Sequence, residues 1–169
     1  MTRSLREVLA VDHRGALEFF VARLQHVTGA DVDRDQLIYN ASLLAHYAQV
    51  STGAAIEMAT PTTLSAVFDR FVFDSTLPRD SRLVETAGAQ CLVLAGFFED
   101  QMRRRHNISW YTWIGAGFLK QAALLEPSPP RAQLLDRVAG RFEAWRQRHA
   151  RLGRELRDQP FLLAPPTLP

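Results

Sequence analysis

Apolar residues recur at three- and four-residue steps along most of this chain, and no stretch sustains the two-residue alternation of a half-buried strand. The pattern predicts a run of helices. Leu5 to Ala10 reads as a short first helix capped by Ser4. A longer one spans His13 to about Val27, with Leu17, Phe20, Val21 and Leu24 on one face. Thr28-Gly29 stops it, because glycine readily takes the left-handed conformation beyond a helix end. Asp31 or Asp33 then opens a helix over about Arg34 to Val50, and Thr62 or Thr63 opens another through Phe73.

The longest apolar pattern starts at Asp80 or Ser81. Val84, Ala87, Cys91, Leu94, Ala95, Phe98 and Met102 fall at helical steps, and Leu92, Val93 and Phe97 widen the stripe, so this helix is expected to be central. Ser109 is the expected start of the next helix, running from Trp110 to about Leu125, where Pro127, Pro129 and Pro130 end it. A last long helix is expected from Pro130 or Arg131 to about Leu156. Leu135, Val138, Phe142, Trp145, His149, Leu152 and Leu156 form a coiled-coil-like seam along it. The sum is an all-α, single-domain bundle of five to seven helices over residues 1–159. The proline-rich tail 160–169 is extended and packs across the body or a neighbour.

Residues 36–56, between Asp35 and Glu57, include no Asp, Glu, Lys or Arg. An ordinary surface helix shows water a charged face, so this one must be enclosed by core, partner or ligand. Gln36, Asn40, Ser42, His46 and Gln49 argue against a bilayer span. Segments 86–98 and 106–119 are also poor in charge. Together they are more enclosed helix than a monomer of 169 residues ordinarily needs, which points to a homo-oligomer, most simply a homodimer.

Composition narrows the class. Hydrophobic residues make up 47% and charged residues 22%, ordinary globular values. A formal net charge of +2 argues against nucleic acid as the partner, since phosphate binding needs clustered cations. Lys120 is the lone lysine among twenty basic residues, a bias read as codon usage. Cys91 is the lone cysteine and sits in an apolar run, so it reads as a buried small hydrophobe in a cytoplasmic protein.

Candidate chemistry is sparse. Tyr39, Ser42, His46 and Gln49 follow steps of three, four and three and form one polar stripe on the uncharged helix. Neutral hydrogen-bonding groups backed by an apolar helix are how many small-molecule pockets are lined. Trp110 and Trp113, followed by the small Gly115-Ala116-Gly117, could supply an aromatic wall beside them. Arg103, Arg104, Arg105 and His106 form the densest basic cluster and are a candidate anion site. The last helix adds Arg131, Arg137, Arg141 and Arg146, with further arginines to its end. Glu-x-x-His pairs, phosphate loops, dinucleotide fingerprints and nucleophile elbows are absent from the sequence, so no metal or cofactor is expected.

The leading expectation is a non-enzymatic binding or regulatory module for a small ligand or a protein. Two alternatives stand beside it. One is a small helical enzyme using His46 as acid or base with a carboxylate about 3 Å away. The other is an anion or nucleic-acid binder using Arg103 to Arg105 and the last helix.

Overall fold

A computed structural model describes residues 13–50 and 81–156, apart from the side chains of His13, Gln49 and Val50. The expected helices over 5–10 and 62–73 and the tail 160–169 lie outside the described residues. Within them the chain forms seven helices and no strand: α1 His13–Thr28, α2 Arg34–Val50, α3 Ser81–Ala95, α4 Glu99–Arg103, α5 Ile108–Leu125, α6 Pro129–Gly140 and α7 Phe142–Glu155. The fold is an all-α helical bundle.

Local chemistry sets most of the boundaries. Gly29, at φ +84°, ends α1, and its amide donates to the Gln25 carbonyl at 3.0 Å. Asp33 caps α2: its Oδ1 accepts from the amides of Asp35 at 2.9 Å and Gln36 at 3.2 Å. Those bonds, the Gln36 amide foremost, hold the Asp33 carboxyl below its ordinary value. Helix α5 starts two residues earlier than Ser109 suggests, because Asn107 Oδ1 accepts from the Trp110 amide at 3.2 Å. It ends at Leu125, with Glu126 extended ahead of Pro127.

Two expected long helices are each broken in two. The apolar pattern over 84–102 does not stay one helix, because residues 96–98 turn between α3 and α4. Gly96 lets α7 approach: a Cβ there would lie 2.6 Å from His149 Cβ and 3.0 Å from the Arg146 carbonyl. Gly153 makes the matching approach from α7, where a Cβ would overlap the Phe97 carbonyl. The second break falls at Arg141, whose φ of −115° and ψ of 23° separate α6 from α7. All seven seam residues from Leu135 to Leu156 are buried, but they serve two helices rather than one continuous coil.

Helix α1 turns Ala16, Phe20, Leu24 and Val27 into the core, while Leu17 and Val21 lie half-buried on its flank. It packs along α2, whose residues from Gln36 to Ala48 are buried or half-buried except Ile38 and His46. Helix α3 is central, packed on α5 along its length and crossed by α7. Most of the charge-poor surface is therefore covered within the chain.

The α3–α5 crossing fixes what its glycines do. A Cβ at Gly115 would meet Cys91 Cβ at 2.7 Å and Phe142 Cζ at 2.5 Å, whereas one at Gly117 meets nothing within 4 Å. Gly115→Ala is expected to lower unfolding stability by about 1–3 kcal/mol through overpacking. Gly117→Ala should raise it by about 0.5–1 kcal/mol through helix propensity. Urea midpoints of the two variants check this, and equal effects at both positions would contradict the close crossing.

Candidate functional site

Two sets of polar side chains leave α2 in different directions. Gln36 and Asn40 point into the core, where they meet α7. Trp145 Nε1 donates to Gln36 Oε1 at 2.8 Å, and His149 Nε2 lies 2.8 Å from Asn40 Oδ1. Asn40 Nδ2 donates to the Gln36 carbonyl, so Asn40 Oδ1 must act as acceptor and His149 carries its proton on Nε2. His149 is fully buried, and that burial pushes its pKa down to about 3.

Tyr39, Ser42 and His46 face a different neighbour, α3. Tyr39 Oη donates to Glu85 Oε1 at 2.9 Å. Farther along, the Tyr47 ring packs 5.2 Å from that of Phe98, in the turn just after α3. A cleft of about 750 Å³ lies between α2 and α3, within the range of small-molecule pockets. Its apolar wall is Leu43, Tyr47, Ala89 and Val93, and Ser42, His46, Thr86 and Gln90 also border it. His46, exposed, stands at the mouth.

One end of the cleft is closed by an ion-pair network. Arg131, at the start of α6, grips Glu85 in bidentate fashion: NH1 to Oε2 and NH2 to Oε1, both at 2.7 Å. NH1 also donates to Glu126 Oε2 at 3.1 Å. The bond to Glu85 raises the Arg131 pKa further above its already high value. Tyr39 stays protonated, its pKa pushed well up first by burial and then by the Glu85 charge. Arg82 borders the same end, so two cations face two carboxylates.

Ser42 Oγ donates back to the Tyr39 carbonyl at 2.6 Å. His46 makes no hydrogen bond to a carboxylate among the described residues, and Glu85 is engaged on both oxygens by Arg131. No group of three His, Cys, Asp or Glu side chains among the described residues is placed to hold a metal ion. Cys91 is buried, and burial raises its thiol pKa well above the ordinary value.

Other sequence candidates fall elsewhere. The Gln49 side chain lies outside the described residues. Trp113, 65% exposed, lines a separate groove of about 650 Å³ with Arg103, Thr112, Phe142 and Glu143. Trp110 is half-buried, edge-on to Tyr111 at 5.1 Å, so neither tryptophan joins the α2–α3 cleft. The basic cluster is also split. Arg103 pairs with Glu99, Arg104 and Arg105 are exposed, and His106 turns edge-on to the Tyr111 ring at 6.0 Å.

Much of the arginine excess at the C-terminal end is neutralised internally. Arg131 pairs with Glu85 and Glu126, Arg137 with Asp33, and Arg146 with Glu99 and Glu143. Arg151 lies 3.7 Å from Glu155. Glu85, Glu126 and Gln90 were not singled out from the sequence, and Arg131 was named only among the arginines of the last helix. The only local hint was Glu85, a lone carboxylate beside the apolar face of the central helix.

Comparison of the chain with known protein families, with curated proteins and with solved structures finds no match in any of the three.

Proposed function

We propose that this protein is a non-enzymatic ligand-binding module whose ligand is a small, largely apolar molecule held between α2 and α3. The observation that carries the reading is the cleft itself. Three residues of the uncharged helix, Tyr39, Ser42 and His46, border a volume of about 750 Å³ that is also lined by Leu43, Tyr47, Ala89 and Val93. Glu85, Glu126 and Arg131 are already bonded to one another at one end. Such a surface draws an apolar body by desolvation, and a few hydrogen-bonding groups then orient it.

The alternatives receive less support. A His46-based acid or base would be oriented by a nearby carboxylate, and His46 has no such partner among the described residues. An anion or nucleic-acid binder would keep its arginines unpaired along one face. Here Arg131, Arg137 and Arg146 each hold a carboxylate within the chain.

The test is saturable binding of the uncharged fluorophore N-phenyl-1-naphthylamine, compared with an Ala89→Trp variant that fills the cleft. One site per chain is expected, with apparent affinity falling at least tenfold in the variant. A wild-type chain that shows no saturable binding, or an Ala89→Trp variant that saturates at the same concentration, would remove the proposal.

A further inference from the structure

Resting on that reading of the α2–α3 cleft, we infer that its ligand is an uncharged single-chain amphiphile. A hydroxyl or carboxamide head is held by His46 and Gln90, and an apolar chain lies along Leu43, Tyr47, Ala89 and Val93.

Charge comes first. The charged end sets Arg82 and Arg131 against Glu85 and Glu126 and has no net charge to offer. Arg131 already spans both carboxylates, and Tyr39 gives its hydroxyl hydrogen to Glu85. A charged head would shed its hydration without meeting an uncompensated counter-charge, which is unfavourable. An uncharged head sheds far less.

Hydrogen bonding comes second. Among the described residues, His46 and Gln90 make no hydrogen bond or ion pair, while Ser42 and Thr86 donate back to their own helices at 2.6 Å and 2.8 Å. His46 on α2 and Gln90 on α3 both border the cleft. A carboxamide both donates and accepts, and so does a neutral imidazole. Their natural complement is a head that also does both.

Shape comes third. The apolar lining lies beside the two head-binding side chains, where an alkyl chain can pack. The side chains of that lining are small or apolar, Ala89 and Val93 on α3 and Leu43 and Tyr47 on α2.

The experiment displaces bound N-phenyl-1-naphthylamine with octanamide, octanoate or octylamine at pH 7. It uses the wild-type chain and the His46→Leu and Gln90→Leu variants. Octanamide is expected to displace at a concentration at least fivefold below either charged competitor. Each variant should weaken octanamide three- to tenfold while leaving the fluorophore's own saturation within twofold. Octanoate or octylamine competing as well as octanamide would overturn the inference, and so would octanamide unaffected by both substitutions or displacing nothing. In each of those cases fluorophore binding that is still lost in Ala89→Trp keeps the pocket itself. Failure of the fluorophore to bind the wild-type chain removes both.

Discussion

Arg146→Met is expected to lower unfolding stability by about 3 kcal/mol at neutral pH, read from urea denaturation. Arg146 is 7% exposed and bonds in three directions. Its Nε and NH2 donate to Glu143 at 2.8 Å and 2.7 Å. Its NH1 donates to Glu99 Oε2 at 2.9 Å and to the Ala95 carbonyl at 3.2 Å. That last group is the final carbonyl of α3, and Glu99 opens α4, so one guanidinium holds the corner where the expected long helix breaks. Removing one partner of a buried ion pair costs about 3–5 kcal/mol, because the other charge is left behind. The lower end applies here, since Glu99 keeps Arg103 and a more distant Arg154 at 3.9 Å. Glu143→Gln should cost under about 1 kcal/mol, because that side chain is half exposed and its pairing is screened. An Arg146→Met chain within 1 kcal/mol of wild type would show that the corner is held by packing alone.

Stability should also fall on mild acidification, and His149 should be the cause. Above pH 6.5 its imidazole is neutral whether the chain is folded or unfolded. Between 6.5 and about 3 the unfolded chain takes up a proton that the folded chain refuses, so unfolding is favoured as pH falls. The slope is about 1.4 kcal/mol per pH unit, or roughly 2 kcal/mol by pH 5. Asn40 accepts from the imidazole Nε2, and Nδ1 is buried and without a partner among the described residues. The depressed carboxyls of Asp33, Glu99 and Glu143 act in a separate window, losing their contribution only as pH falls toward and below the ordinary carboxyl range. His149→Phe should flatten the limb between pH 6.5 and 5 at a pH-independent cost of about 1–3 kcal/mol, from the orphaned Asn40 carbonyl. An unchanged limb in that variant would assign the acid sensitivity to other groups.

How far these features could be read in advance depended on their range along the chain. The stop of α1 and the start of α2 were legible, because Gly29 and Asp33 act on backbone groups within four residues of themselves. The burial of Leu135, Val138, Phe142, Trp145, His149, Leu152 and Leu156 was legible from spacing. The breaks at Gly96 and Arg141 were not. The apolar period runs unbroken through both, and at Gly96 what interrupts the helix is another helix arriving against its backbone. Part of the candidate site was visible in the same way. Tyr39, Ser42 and His46 share a face by arithmetic, but Glu85 and Arg131 reach Tyr39 from 46 and 92 residues away. The tryptophans mark the opposite limit: their shared aromatic character was plain, and packing turned them away from the cleft.

What the sequence alone determined is that residues 34–50 form a helix with no charge after Asp35, because capping and periodicity are local. Which of its polar side chains enter the core and which border the cleft was settled only by tertiary structure. Gln36 and Tyr39 are three residues apart and both are buried, yet one meets the indole of α7 and the other a carboxylate of α3. Successive residues on a helix point about 100° apart, and a side chain's role is fixed by whichever neighbour fills its direction.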